Sequence, residues 1–187
     1  MKKLLCLIFS IFVLNACTAP ANLNFVPEDG LAPVNAAEKI NAEIKAITIA
    51  NATKAEAKGD VQTGLGGNQY EQSFKTTFKD ALEEALSRTA IFKDDSPNKV
   101  TLVAKVLQFE SPLWGGINFD TKMIVRYDFI NRNSGNSVYT TDIKSEGSVP
   151  GTYSFFGAIR FTEARNRAVR NNINNLITEL KSNKFIK

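Results

Sequence analysis

Apolar and polar positions alternate along this chain with two periods, and the switches between them outline its elements. Leu4 to Leu14 (LLCLIFSIFVL) is an uncharged apolar run. From Thr18 to about Ala37 the periodicity fades, and Pro20, Pro27 and Pro33 favour extended backbone, a tether composition. Within it Leu23, Phe25, Val26 and Leu31 could still dock on a domain. Lys45 to Ala52 (KAITIANA) alternates, with Ile47 and Ile49 on one face, and predicts a first strand. A polar, Gly-rich loop follows from Lys54 to Tyr70. About Glu71 to Ala90 then predicts a helix, with Phe74, Phe78, Ala81, Leu82, Ala85 and Leu86 forming one stripe at three- and four-residue spacing.

Asp94 to Asn98 is turn chemistry, and Val100 to Phe109 reads as a strand with apolar residues on both faces, hence central in its sheet. Ser111 to Asn118 (SPLWGGIN) breaks it. Phe119 to Ile130 alternates Phe119, Met123, Val125, Tyr127 and Phe129 with Asp120, Lys122, Arg126 and Asp128, a long strand with one wet face. Asn131 to Asn136 predicts a hairpin loop and Ser137 to Val149 the returning strand, with Tyr139 and Ile143 on its apolar side. After Pro150 to Gly157, about Ile159 to Lys181 predicts a second helix whose stripe is Phe161, Ala164, Ala168, Ile173, Leu176, Ile177 and Leu180. The order is β-α-β-β-β-α: an α+β domain with a mixed four-stranded sheet and both helices on one face.

Met1-Lys2-Lys3 ahead of the apolar run gives that run the form of a secretion signal, too short to anchor as a membrane span. Leu14-Asn15-Ala16-Cys17 at its end resembles the lipobox of bacterial lipoproteins, although Asn15 is a less usual occupant of its position. The resemblance implies that residues 1–16 are removed and that Cys17 carries a diacylglycerol and, in many Gram-negative bacteria, a third acyl chain. Two or three chains hold a protein stably on a bilayer, where one does not. Thr18 stands where an aspartate would favour inner-membrane retention, so the resemblance implies the outer membrane, facing the periplasm. Residues 17–37 then form the tether and 38–187 one domain.

The element order behind a lipobox resembles the small YajG-like envelope lipoproteins and, more loosely, the curli secretion lipoprotein and the amino-terminal α+β domain of TolB. That resemblance spans about Lys45 to Lys181 in pattern and carries no functional residue with it.

Composition narrows the chemistry. The chain of 187 residues contains no histidine, and beyond Cys6 in the signal and Cys17 it has no cysteine. The commonest general base, the commonest metal ligand, nucleophile pairs with histidine and an intrachain disulfide are therefore absent, and neither a cofactor nor a metal is implied. The formal charge of +4 falls to +2 without Lys2 and Lys3, too little to argue for nucleic acid. Gly64-Leu65-Gly66-Gly67 between strand and helix matches neither phosphate-binding glycine motif and reads as a loop. Glu110, Asp120, Asp128, Asp142 and Glu146 are carboxylates of the kind a glycoside hydrolase pairs, but most alternate with apolar residues as a wet sheet face requires. The expectation is a non-enzymatic protein.

Two surfaces remain. The second helix carries Arg160, Arg165, Arg167 and Arg170 with Asn166, Asn171, Asn172, Asn174 and Asn175 between them: a solvated face, or an anion-binding face using Arg165, Arg167 and Arg170 for lipid headgroups or an acidic partner. If the first two strands are parallel, the loops Gly59 to Tyr70, Pro112 to Asn118 and Pro150 to Gly157 converge at one end of the sheet. They bring Tyr70, Trp114, Tyr153, Phe155, Phe156 and Arg160 together, as a cap on the core or as a partner-binding rim. Function then reads as binding or scaffolding an envelope component, with an envelope protein as expected partner; the alternative is a lipid or glycan carrier whose aromatics line a cavity.

Overall fold

The amphipathic stripe that begins at Phe74 needs a sheet to bury it, and the computed structural model, which describes residues 22–64, 67–112 and 117–182, supplies one. Strand β1 is Glu43–Asn51, helix α1 Asn68–Thr89, β2 Lys99–Glu110, β3 Phe119–Asn131, β4 Ser137–Val149 and helix α2 Gly157–Ser182. The sheet order is β1-β2-β3-β4. β1 and β2 are parallel, as the α1 crossover between them requires, and the other two pairings are antiparallel. Both helical stripes meet one sheet face in a single core, giving the expected α+β architecture.

Every residue of the α1 stripe is buried. The helix opens three residues earlier than its pattern suggests, after Gly67, whose φ of +94° favours glycine although nothing crowds its missing Cβ. β2 lies between two strands, and its apolar residues on both faces trace to a bulge. The pairing with β3 shifts between Val106 and Gln108, so Phe109 returns to the core face while Leu107 is buried outside the main cluster, its carbonyl bonded by the N–H of Lys58.

Two expectations need correction. The tether does not run to residue 37. Phe25 is fully buried, its ring 5.3 Å from that of Phe74 and 6.4 Å from that of Phe78, and Leu31 is buried beside it. Val34 and Ile40 bond the carbonyls of Thr89 and Ile91. From residue 22 on, the segment belongs to the domain, because the buried side chains of Phe25, Leu31 and Ile40 and the backbone bonds of Val34 and Ile40 together offset the cost of ordering it. The wet sheet face is also partly covered. The segment after β1 turns at Thr53, pairs Glu56 with Lys105 and Lys58 with Asp142, and returns along β2 at Val61. Among the described residues no helix is long and apolar enough to cross a membrane.

Candidate functional site

With β1 and β2 parallel and β3 and β4 alternating in direction, β1, β2 and β4 end, β3 begins and both helices start at the same end of the sheet. The described parts of the three loops expected to converge do so through two arginines of α2. Arg165 is the inner one. It is fully buried, with its guanidinium carbon 4.2 Å from the Phe109 ring centre, 5.3 Å from that of Phe161 and 5.7 Å from that of Tyr70. It donates to the Gln62 carbonyl at 2.7 Å and to Ser111 Oγ at 3.2 Å. Gln62 Oε1 in turn accepts the Ser111 N–H, so one side chain ties the first loop to the end of β2 and to the helix. Among the described residues no carboxylate pairs with it. Burial lowers its pKa from the usual arginine range, and the neighbouring Tyr70 hydroxyl opposes that shift.

Arg160, one turn earlier, is the outer clamp. Its guanidinium lies 5.1 Å over the Phe119 ring and donates to the Ile117 carbonyl at 3.1 Å. Gly151 presses against Ile117 so closely that a Cβ there would lie 2.6 Å from its side chain, which fixes the loop before α2 on the loop before β3. Ser154 then accepts the Phe156 N–H, and the helix begins at Gly157.

Outside this clamp lies the rim. Phe155 is 93% exposed and Phe156 65%, edge to face with each other at 5.6 Å, and Ile117, Tyr153 and Ile159 are exposed beside them. Of the six large hydrophobic side chains exposed among the described residues, these are five. Such clustering separates them from the single exposed apolar residues that any surface carries.

The expected rim residues thus divide. Phe155 and Phe156 face solvent, and Tyr153 is half-exposed with the Arg167 guanidinium 5.3 Å over its ring. Tyr70 and Arg160 are half-buried inner supports, because their ring and guanidinium stack on core-side neighbours. Trp114 lies outside the described residues. Ile117 and Ile159 were missed; the one signal for Ile159 was its place off the apolar stripe of α2.

The anion-binding face does not form as expected. Arg165 is inside the protein, where ring stacking and two acceptors replace water. Arg167 and Arg170 share Glu163 at 3.0 and 2.5 Å, Arg170 also meets Glu28, and Arg167 donates to the Ser148 carbonyl. Beside Gly64 stands the carboxylate of Glu71, in the first turn of α1, which accepts from Asn51 and pairs with Lys75. Of the strand carboxylates, Asp142 is bound by Arg126 and Lys58, Asp128 by Ser137 and Thr140, and Glu110 by the Asp60 N–H. Among the described residues no group of three potential ligands is placed to hold a metal ion.

No family model matches the sequence, and no curated protein does. Solved structures match in fold. Protein XCC0632 of Xanthomonas campestris, of family-model DUF330, is 11% identical with a TM-score of 0.52 over 87% of this chain and 93% of its own. A protein of Caulobacter crescentus CB15 taken to be a lipoprotein is 14% identical, TM-score 0.44, over 73% and 88%. A minor lipoprotein of Acinetobacter baumannii is 11% identical, TM-score 0.43, over 75% and 92%. At these identities the likeness to XCC0632 shows the fold alone.

Proposed function

We propose that this chain is a bacterial envelope lipoprotein, tethered through Cys17, whose domain works by binding another envelope component with its aromatic rim. The exposed cluster of Ile117, Tyr153, Phe155, Phe156 and Ile159 carries the reading. Leaving such a patch in water is unfavourable, and aromatic side chains on rigid supports are what binding surfaces concentrate. The lipobox-like Leu14-Asn15-Ala16-Cys17 supports the anchor, and Thr18 supports the outer membrane. The carrier alternative needs a cavity between sheet and helices. Around β2 that space holds Phe25, Phe74, Phe78 and Phe109 ring against ring, with centroids 4.9 to 6.4 Å apart. The groove that opens between β1 and α1 is lined by the charged Glu43, Lys45, Glu83, Lys93 and Asp94, with Phe92 its one aromatic among the described residues.

A photo-crosslinking amino acid placed at Phe155, and at Val138 as a control, in the full-length chain in its own host tests this. Adducts at position 155 and none at 138 support the rim as a binding surface. Adducts at neither, or equally at both, contradict it.

A further inference from the structure

Resting on that reading, we infer that the component met by the rim is the bilayer itself: Phe155, Phe156, Ile117 and Ile159 dip into the membrane that holds Cys17. The first observation is where the chain leaves the domain. Gly30 lies against Asn174 and accepts from Lys181, Glu28 pairs with Arg170, and the backbone of Asn22 and Asn24 bonds the Asn166 amide. Each step toward the amino terminus therefore lies about one turn nearer the start of α2.

The second observation is distance. Asn166 stands nine residues past Gly157, about 14 Å along the helix from the rim. Asn22 lies five positions after Cys17, a span of at most about 18 Å. The lipidated cysteine reaches the level of the rim and little further. The opposite end of the sheet lies the length of β4 away, thirteen residues or about 43 Å, and its loop Asn131 to Asn136 is polar throughout. A tether this short holds the domain with its anchored end against the bilayer, and that end carries the apolar side chains. Tyr153 beside them, apolar in its ring and polar at its tip, suits the headgroup boundary, into which interfacial apolar groups reach about 5–10 Å.

The test uses the full-length chain, processed in a Gram-negative host, purified from membranes and reconstituted in phosphatidylethanolamine/phosphatidylglycerol vesicles. Beyond Cys17 the mature chain has no cysteine, so Phe155→Cys and Val138→Cys each accept one nitroxide, with Ile159→Cys as a second rim position. The expected result is collision with oxygen several-fold more frequent than with an aqueous nickel chelate at 155 and 159, and the reverse at 138. Labels at 155 and 159 as open to nickel as at 138 would overturn the inference. So would labels shielded from both reagents, which would mean that a protein or a second copy covers the rim. The intact mass of the same samples separates the two claims. Diacylglycerol on Cys17 with an aqueous rim sinks this inference alone, whereas an unmodified Cys17 sinks the lipoprotein reading and the inference with it.

Discussion

Asn171 donates its side-chain amide to the backbone carbonyl of Glu146 at 2.8 Å, and that bond is one rung of a ladder along the open edge of the sheet. Arg167 donates to the Ser148 carbonyl and Asn175 to that of Lys144. Donors four apart on α2 advance about 6 Å, and carbonyls two apart on β4 about 6.6 Å, so the periods nearly match. β4 is an edge strand, and α2 covers the acceptors on which another chain would otherwise pair. Asn171→Ala and Asn175→Ala should each lower stability by about 1 kcal/mol in urea denaturation. Combined with Arg167→Ala they should promote self-association in sedimentation. A triple variant that stays monomeric and equally stable would refute the ladder's role.

Arg165 is the clamp on which the loop end depends. Arg165→Ala removes contacts with three rings and leaves the Gln62 carbonyl and Ser111 hydroxyl without their donor, so a loss of about 3–5 kcal/mol is expected. Arg165→Lys should restore less than half of it, since an ammonium has no plane to stack and no fork to bridge two acceptors. Loss of under about 1 kcal/mol for alanine would place the side chain outside the core.

Acid should weaken the outer sheet face through Asp142, whose carboxyl is drawn down to about 2, first by Arg126 and then by Lys58. The folded value lies below the ordinary 3.8, so its contribution is present above about pH 4 and disappears as pH falls through about 2. Melting temperature followed over that window should fall less steeply for Asp142→Asn than for the wild type. Identical acid limbs would contradict the assignment.

Cys17→Ala should abolish acylation and leave either an uncleaved precursor or soluble protein. Processed Cys17→Ala that still sediments with membranes after a carbonate wash would remove the anchor from the account.

The α1 stripe, the β3-β4 hairpin and the central place of β2 were legible in the sequence because each depends on local periodicity, and the convergence of three loops followed from chain directions. What escaped was settled by distant partners. Arg165 shares its polarity with Arg167 and Arg170, and its burial depends on a carbonyl 103 residues earlier in the chain. Phe25 sits in a stretch without period, and its place was decided by Phe74 and Phe78. The asparagines of α2 read as a solvated face, although several serve an edge strand some 25 to 31 residues upstream. Burying Tyr127 drives its hydroxyl pKa far upward, and the bond from that hydroxyl to Asn172 Oδ1 at 2.8 Å was equally invisible in the pattern.

The rim is a surface held out from a core that is complete without it. The thermal melt of the Phe155→Ser/Phe156→Ser double variant tests this most directly. With Phe155 93% exposed and Phe156 65%, the melting temperature should stay within about 2 °C of the wild type, as surface changes do. A loss of several kcal/mol, the size that truncating buried Phe side chains brings, would make the rim part of the core and contradict the account.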